Sequence, residues 1–155
     1  MKENEHPESW LFFADLLFAV SVSCFLAALV MPAISGGGLD GERPQSGAEC
    51  FLLPILFFWL LLDYLPIVFA NLIFATLTIY YVPFRRRLTL PRALMSVASA
   101  AIPIHFLATT SRQVYIGAHL WLLAFVLSTA AHWTQFFLTV ELSHDATVTD
   151  GFSDS

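Results

Sequence analysis

Hydrophobic residues in this chain fall into long runs. The longest covers residues 51 to 82, thirty-two positions in all, and it ends at Pro83, shortly before three consecutive arginines. Further apolar runs cover residues 11 to 31, 93 to 110 and 114 to 138. A bilayer core about 30 Å thick is crossed by about 20 helical residues. The pattern therefore predicts a protein that crosses a membrane several times.

The longest run is too long for one membrane span and too short for two full spans. A single helix of this length would extend ~48 Å, and two equal helices would each reach only about 24 Å. The segment from Asp63 to Pro66 supplies a break, because Asp is a good N-cap and proline is tolerated in the first turn of a helix. We therefore expect a span from about residue 64, preceded by a short helix over 51 to 62. That short helix is apolar on every face, so we expect it to be embedded among the other helices.

These considerations predict an all-α membrane protein with four transmembrane helices and one short embedded helix. The expected spans are about 11–31, 64–83, 91–110 and 115–138, within a membrane domain over 11–138. Residues 1–10 are expected to form a cytoplasmic N-terminal segment. Residues 139–155 are acidic and rich in Ser, Thr, Asp and Gly, which predicts a disordered cytoplasmic tail.

Composition narrows the class of partner. Hydrophobic residues make up 57% of the chain and charged residues 12%, with a formal net charge of -5. No basic patch is large enough to follow a phosphate backbone, so a nucleic-acid partner is not expected. The expected partners are the lipid bilayer and either a second copy of the chain or another membrane protein.

Four arginines predict the orientation. Arg85, Arg86, Arg87 and Arg92 lie together between the second and third expected spans. Arginine and lysine in short loops hold those loops on the cytoplasmic side. With four spans, both termini would share that side, which predicts a multi-pass protein of the inner membrane with cytoplasmic termini.

Two ionisable residues inside the first and last spans are expected to meet. Asp15 and His132 lie at similar depths from the same side, about 7 and 9 Å from the span ends. We expect them to face each other across two stripes of small residues and to form a structural hydrogen bond. A proton-responsive role for the pair is the alternative. The stripes are Ala19, Ser23 and Ala27 on the first span, and Ala124, Ser128 and His132 on the last.

A second group near the opposite side has the residue types of metal ligands. Asp63, His105 and His119 lie within one or two turns of the expected interface. Imidazole and carboxylate suit zinc or iron, and two histidines on facing helices could bracket a haem. Interfacial histidines and a capping carboxylate explain the same residues, so no cofactor is assigned. Asn71, mid-span, is expected to make an interhelical hydrogen bond.

Four short segments resemble a family of small four-span bacterial membrane proteins without an assigned activity. They are Met31-Pro32-Ala33, Ser46-Gly47-Ala48-Glu49-Cys50-Phe51-Leu52-Leu53, Ala70-Asn71-Leu72 and Gly117-Ala118-His119-Leu120-Trp121-Leu122. The chain departs from the family pattern at Leu72, where the family has proline, and at His119, where it tends to have an aromatic residue. The resemblance implies the four-span architecture, the embedded segment and a structural role for Glu49, Cys50 and Asn71.

No catalytic signature appears in the sequence, which contains neither HExxH nor GxSxG. We therefore expect a non-enzymatic membrane component that packs against itself or another membrane protein. The alternatives are a small metal- or haem-binding redox protein using His105 and His119, and a subunit of a transporter.

Overall fold

The structure is a computed structural model of the 155-residue chain, and it describes residues 7–34, 44–56, 65–81, 89–109 and 114–150. Most of these residues are helical. The helices are α1 (Pro7–Val30), α2 (Gly47–Leu56), α3 (Leu65–Tyr81), α4 (Thr89–Thr109) and α5 (Ile116–Asp150), with two short strands, β1 (Pro32–Ile34) and β2 (Gln45–Ser46), between α1 and α2.

Three of the described helices are long and apolar enough to cross a membrane. They provide the stretches Ser9–Val30, Thr89–Thr109 and Ile116–Glu141, of 22, 21 and 26 residues. α3 is apolar but shorter, with 17 residues. These helices indicate a membrane protein, and each lies within a few residues of an expected span.

The helices α1, α3, α4 and α5 pack against one another, and we call this assembly the bundle. α1 and α5 make the most extensive pair, α4 packs on α5, and α3 packs on α4. Aromatic side chains bridge the remaining gap between α1 and α3, where Phe25 stacks on Phe74 and Phe18 stacks on Tyr81. We call the end of the bundle that holds Arg92 the Arg92 end, and the opposite end, where α1 meets the strands, the Asn71 end.

The middle of the bundle is filled by aromatic and small apolar side chains. Phe74 of α3 is 2% exposed, and Phe125 of α5 is fully buried. Their ring centroids lie 4.9 Å apart, and Trp121 meets Phe125 edge to face. This aromatic core separates the two ends.

The predicted small-residue stripe on the first span is wrong, whereas that on the last is confirmed. Ala19 and Ser23 are exposed, and the buried face of α1 instead carries Ala14, Ser21 and Ala28. Residues seven apart lie on one face of a helix, as in a coiled-coil seam. On α5, the residues Ala124, Ser128 and His132 are all buried.

The described chain is mostly helical, as the all-α prediction expects, and a small two-stranded sheet lies between α1 and α2. β1 and β2 pair antiparallel, with Pro32 opposite Ser46 and Ile34 opposite Gln45. Ile34 also forms a bridge with Val114, just before α5. The proline after α1 ends the helix, because proline has no N–H for the next helical bond. The chain continues from Pro32 in the extended conformation of β1.

The helix predicted over 51–62 begins earlier, at Gly47, and is described as far as Leu56. A capping box sets its start. The Glu49 backbone N–H donates to Ser46 Oγ at 3.2 Å, and the Ser46 N–H donates to Glu49 Oε2 at 2.8 Å. This reciprocal pair satisfies two N–H groups at a helix N-terminus. Residues 57–64, including Asp63, lie outside the described part of the chain.

The last helix extends into the predicted tail. α5 continues to Asp150, so residues 139–150 belong to a helix where a disordered tail was expected. The N-terminal helix also begins earlier than expected, at Pro7. Residues 1–6 and 151–155 lie outside the described ranges.

Candidate functional site

Arg92 is buried inside the bundle. It lies in the first turn of α4, is only 6% exposed, and donates from an Nη atom to Gln135 Oε1 at 2.8 Å. The sequence prediction placed it among loop charges that set the orientation. The structure places its side chain against α5, because the turn at the start of α4 faces the bundle interior. Arg85, Arg86 and Arg87 lie outside the described residues.

Tyr81, the last residue of α3, joins the surrounding helices at this end. Its hydroxyl donates to Asp15 Oδ1 of α1 at 3.3 Å. Its ring stacks on Phe18, with centroids 3.7 Å apart, and the Arg92 guanidinium carbon lies 5.6 Å from the ring centroid. One side chain therefore contacts a carboxylate with its hydroxyl and a cation with its ring face.

His132 completes the cluster on α5. It is 1% exposed, and its ring meets Phe18 and Tyr81 edge to face. Nδ1 donates to the Ser128 carbonyl oxygen at 2.7 Å, because a carbonyl only accepts. Asp15 and His132 thus both contact Tyr81, and the direct hydrogen bond expected between them is not made.

Two buried side-chain atoms of α5 at this end make no hydrogen bond to any part of the chain that the structure describes. They are Nε2 of His132 and Nε2 of Gln135, which lie three residues apart on one face of α5. In a neutral imidazole with a proton on Nδ1, Nε2 accepts hydrogen bonds, whereas the Gln135 amide nitrogen donates them. We call Asp15, Tyr81, Arg92, His132 and Gln135 the polar cluster.

The polar cluster holds one formal positive and one formal negative charge, separated by a tyrosine. Ionisable residues in a membrane-spanning bundle are costly and are retained where they pair or serve a site. Such an arrangement can hold a hydrogen-bonding group against the unbonded Nε2 atoms of His132 and Gln135, or interact with a charged group. On the side of the bundle centre it is closed by the aromatic core.

The Asn71 end is built differently. Trp121 Nε1 donates to Asn71 Oδ1 at 2.8 Å, which ties α3 to α5 and is the interhelical bond expected for Asn71. Beside it lies a cavity of about 30 Å³, which we call the outer cavity. Its walls come from every helix and from β1, and include Ala28, Ala33, Gly47, Cys50, Asn71, Phe106, Gly117 and Trp121.

The two candidate ligand histidines are both exposed. His105 lies on α4, and His119 lies in the first turn of α5, where Nδ1 donates to the Tyr115 carbonyl oxygen at 3.0 Å. Within the described ranges, no three His, Cys, Asp or Glu residues are grouped closely enough to hold a metal ion. Asp63, the third predicted member, lies outside those ranges.

Sequence reasoning missed two members of the polar cluster. Neither Tyr81 nor Gln135 was predicted to belong to a site. A signal existed for Gln135, because it lies three residues after His132 and so faces the same way on a helix. No comparable signal marks Tyr81, since its role depends on where α3 ends relative to α1.

Comparisons of the chain with protein-family models, with curated proteins and with solved structures found no match.

Proposed function

We propose that the chain is a four-span protein of a bacterial inner membrane, with both termini in the cytoplasm, that acts as a non-enzymatic membrane component. Its partner is a second copy of itself or another membrane protein. The four segments that resemble the family of small four-span bacterial proteins meet at the Asn71 end, which supports a shared architecture.

The length and contacts of α3 support a fourth span. Seventeen residues extend about 26 Å, close to the thickness of a bilayer core. Tyr81 at one end of α3 reaches the polar cluster, and Ile67 and Asn71, in the half of α3 towards its other end, reach the outer cavity. α3 therefore runs between the same two ends as α1 and α5.

The orientation rests on the arginines. The loop between α3 and α4 carries Arg85, Arg86 and Arg87, and Arg92 follows in the first turn of α4. Short loops with arginine stay cytoplasmic. In this proposal the Arg92 end faces the cytoplasm and the Asn71 end faces the opposite side.

The observation that carries the non-enzymatic assignment is the aromatic core. Phe74 and Phe125 are buried in the centre of the bundle and separate its two polar regions. Among the described residues, no group of potential metal ligands is found. The outward faces of the helices are apolar, with Phe12, Val30 and Ile79 each more than two-thirds exposed. Such faces suit contact with lipid or with another helix.

Reporter fusions test the topology. A fluorescent protein that folds only in the cytoplasm, fused after Ser155, should fluoresce, and alkaline phosphatase inserted at residue 40 should be active. Phosphatase inserted at residue 86 should be inactive. If α3 does not cross, the fusions at 40 and 86 report the same side and the C-terminal fusion is dark, so a three-span arrangement is distinguished directly.

Cross-linking in native membranes tests the assembly. Single cysteines at Phe12, Ile79 or Leu94, in a chain lacking Cys24 and Cys50, should give disulfide-linked dimers at one face and not at the others. The buried position Ala124 is the matched control, since a cysteine there cannot reach a second copy. Particles extracted with their lipid that contain one chain and no other protein would contradict the proposal.

A transporter subunit is the second candidate, and the polar cluster favours it. A buried arginine and histidine within a span mark ion or proton pathways in many membrane proteins. The test is proton or ion flux in reconstituted vesicles with and without Gln135→Leu. Flux that depends on Gln135 would favour this candidate over the first.

The redox alternative rests on residue types alone. An absorption spectrum and a metal analysis of the purified protein test it, and a haem band lost in both His105→Ala and His119→Ala would support it.

A further inference from the structure

A groove lies between α3 and α4 at the Asn71 end of the bundle, and we call it the α3–α4 groove. Its volume of about 580 Å³ is within the range of about 300–1,000 Å³ that ligand pockets occupy. One wall is the first turn of α3, with Pro66 and Ile67, and the other is the stretch of α4 from Ala101 to Thr109. Ile67 and Phe106 also line the outer cavity, so these two side chains separate the groove from it.

The α4 wall of the groove changes in polarity along the helix. Ala101 and Ile102 are apolar and lie towards the bundle centre, whereas His105 and Thr109 lie in the last two turns of α4. The wall extends about 12 Å along the helix axis. Because α4 is long and apolar enough to cross a membrane, its last turn lies near the membrane surface. The groove is therefore polar near the surface and apolar towards the bilayer centre.

The polar end of the groove offers more hydrogen-bond acceptors than donors. In its neutral form the His105 imidazole has one N–H donor and one acceptor nitrogen. The ring makes no hydrogen bond with the part of the chain that the structure describes. Thr109 Oγ1 donates its proton to the His105 carbonyl oxygen at 2.8 Å, so its lone pairs are left to accept. The two side chains are neighbours, because they are four residues apart on one helix.

We propose that the α3–α4 groove binds diacylglycerol, a neutral lipid whose head group ends in a single hydroxyl. The hydroxyl lies at the polar end, where it accepts from the His105 N–H and donates to Thr109 Oγ1. The acyl chains extend past Ala101 and Ile102 towards the bilayer centre, which is the direction they take in the membrane itself. This inference rests on the placement of the helices in a membrane, and it does not depend on the orientation or the partner proposed above.

Charge and shape favour this lipid over others. The described residues that line the groove include no lysine or arginine, and a phosphate, which only accepts, would meet two acceptors for one donor. A quinol carries hydroxyls on both sides of its ring, so its second hydroxyl would meet the apolar side chains of Ala101 and Ile102. Diacylglycerol has its hydroxyl at one end only, as the groove has its polar residues.

Photolabelling in vesicles tests the choice of lipid. The full chain is reconstituted in phosphatidylcholine with a small fraction of diacylglycerol that carries a diazirine on one acyl chain. The label should fall on residues 101–109, and unlabelled diacylglycerol should displace it. A phosphatidylcholine probe with the same diazirine should not label the groove. Equal labelling by the two probes, or displacement by a quinol as effective as by diacylglycerol, would overturn the proposal, and so would the absence of label from the groove.

A pair of histidine variants tests the head-group contact. His105→Phe keeps a ring in the groove but removes its hydrogen bonds, so labelling should fall about fivefold. His119→Phe is the matched control, because His119 is exposed at the same end of the bundle and does not line the groove. It should leave labelling unchanged. An equal loss in both variants would show that the effect is not specific to the groove.

A pair of alanine variants tests the acyl-chain contact. Ala101→Phe fills the apolar end of the groove and should abolish labelling by diacylglycerol. The matched control is Ala98→Phe, one turn earlier on α4, which is also exposed but does not line the groove. Persistent labelling in Ala101→Phe would show that the acyl chain lies elsewhere. If this variant does not fold, the comparison of the two probes on the wild-type chain still decides the question.

The position of the diazirine tests the direction of the bound lipid. A probe with the diazirine beside the glycerol should label residues near Thr109, and a probe with it further along the acyl chain should label residues near Ala101. Peptide mapping by mass spectrometry locates both. The reverse order would contradict a hydroxyl held by His105 and Thr109.

Discussion

The two ends of the bundle achieve helix association by different means. At the Arg92 end, long side chains fill the space between helices and carry the hydrogen bonds, as in the contact of Arg92 with Gln135. At the Asn71 end, backbones approach directly at Gly47 and Gly117. A membrane offers no hydrophobic force between helices, so packing and hydrogen bonds must hold them together. Both ends contain an interhelical hydrogen bond, but only the Asn71 end adds direct contact between backbones.

The two ends should therefore differ in the amino-acid substitutions that they tolerate. Side chains can move to relieve a poor contact, but a backbone that meets another backbone cannot. We therefore expect the Asn71 end to be sensitive to small additions of volume, and the Arg92 end to be sensitive to the loss of a polar partner.

The largest effect is expected for Gly47→Ala. The added Cβ meets the Ala28 backbone, so α1 and α2 must separate, at a cost of about 3 kcal/mol in the free energy of unfolding. Gly117→Ala should cost less, because its closest contact is longer. Denaturant unfolding in bicelles measures both. Equal stability of Gly47→Ala and wild type would show that the Asn71 end is not closely packed.

Removal of the Arg92 partner should have the next largest effect. Gln135→Leu leaves a buried guanidinium without the acceptor it now has, which should cost about 2 kcal/mol. The double variant Arg92→Met with Gln135→Leu should recover most of this loss, since an apolar pair of similar volume fits an apolar interior. A double-mutant cycle from unfolding curves gives the coupling energy, and additive single effects would contradict a direct pairing.

The start of α2 should be weakened by loss of its cap. Ser46→Ala removes the oxygen that accepts from the Glu49 N–H, at a cost of about 1 kcal/mol. Glu49→Gln is the control, because glutamine also completes a capping box. Protection of the α2 amides from hydrogen exchange measures both variants. Equal loss in the two would mean that the charge of Glu49 matters more than its geometry.

The smallest effect is expected between the two ends, where α1 meets α5. Ser21 Oγ donates to the Ala124 carbonyl oxygen at 2.7 Å across the helix pair, and Ser21→Ala should cost about 0.6 kcal/mol. Ser23→Ala is a matched control on the same helix, because the exposed Ser23 bonds only to the Ala19 carbonyl of its own helix. It should change the unfolding free energy by much less, and a reversed order would place a different face of α1 against α5.

Hydropathy predicts where the described helices lie, but not how they face one another. The apolar runs locate α1, α3, α4 and the start of α5 to within a few residues, because the bilayer core selects for long apolar segments. The face of α1 was predicted wrongly, since Ala19 and Ser23 are as small as Ala14 and Ser21. Only the partner helix decides between the two stripes.

Two local sequence signals could have predicted helix boundaries that the hydropathy pattern did not. Ser46 and Glu49 have the spacing of a capping box, and Pro32 removes the donor that would continue α1, so the start of α2 and the end of α1 could both have been predicted. The polar cluster could be predicted only in part. Asp15 and His132 have depths that can be compared along a helix, whereas the position of Tyr81 between Asp15 and Arg92 depends on the packing of three helices.

The contact between Ser21 and Ala124 also bears on the order in which the helices assemble. These residues are separated by 103 positions, so the first helix enters the membrane long before its main partner has been made. At a synthesis rate of about 5–20 residues per second, roughly 5–20 s pass between the synthesis of Ser21 and that of Ala124. During that interval Ser21 and Asp15 have no α5 beside them. Assembly of the bundle is therefore completed by the last helix to emerge, and a chain interrupted before α5 lacks the surface on which α1 and α4 both pack.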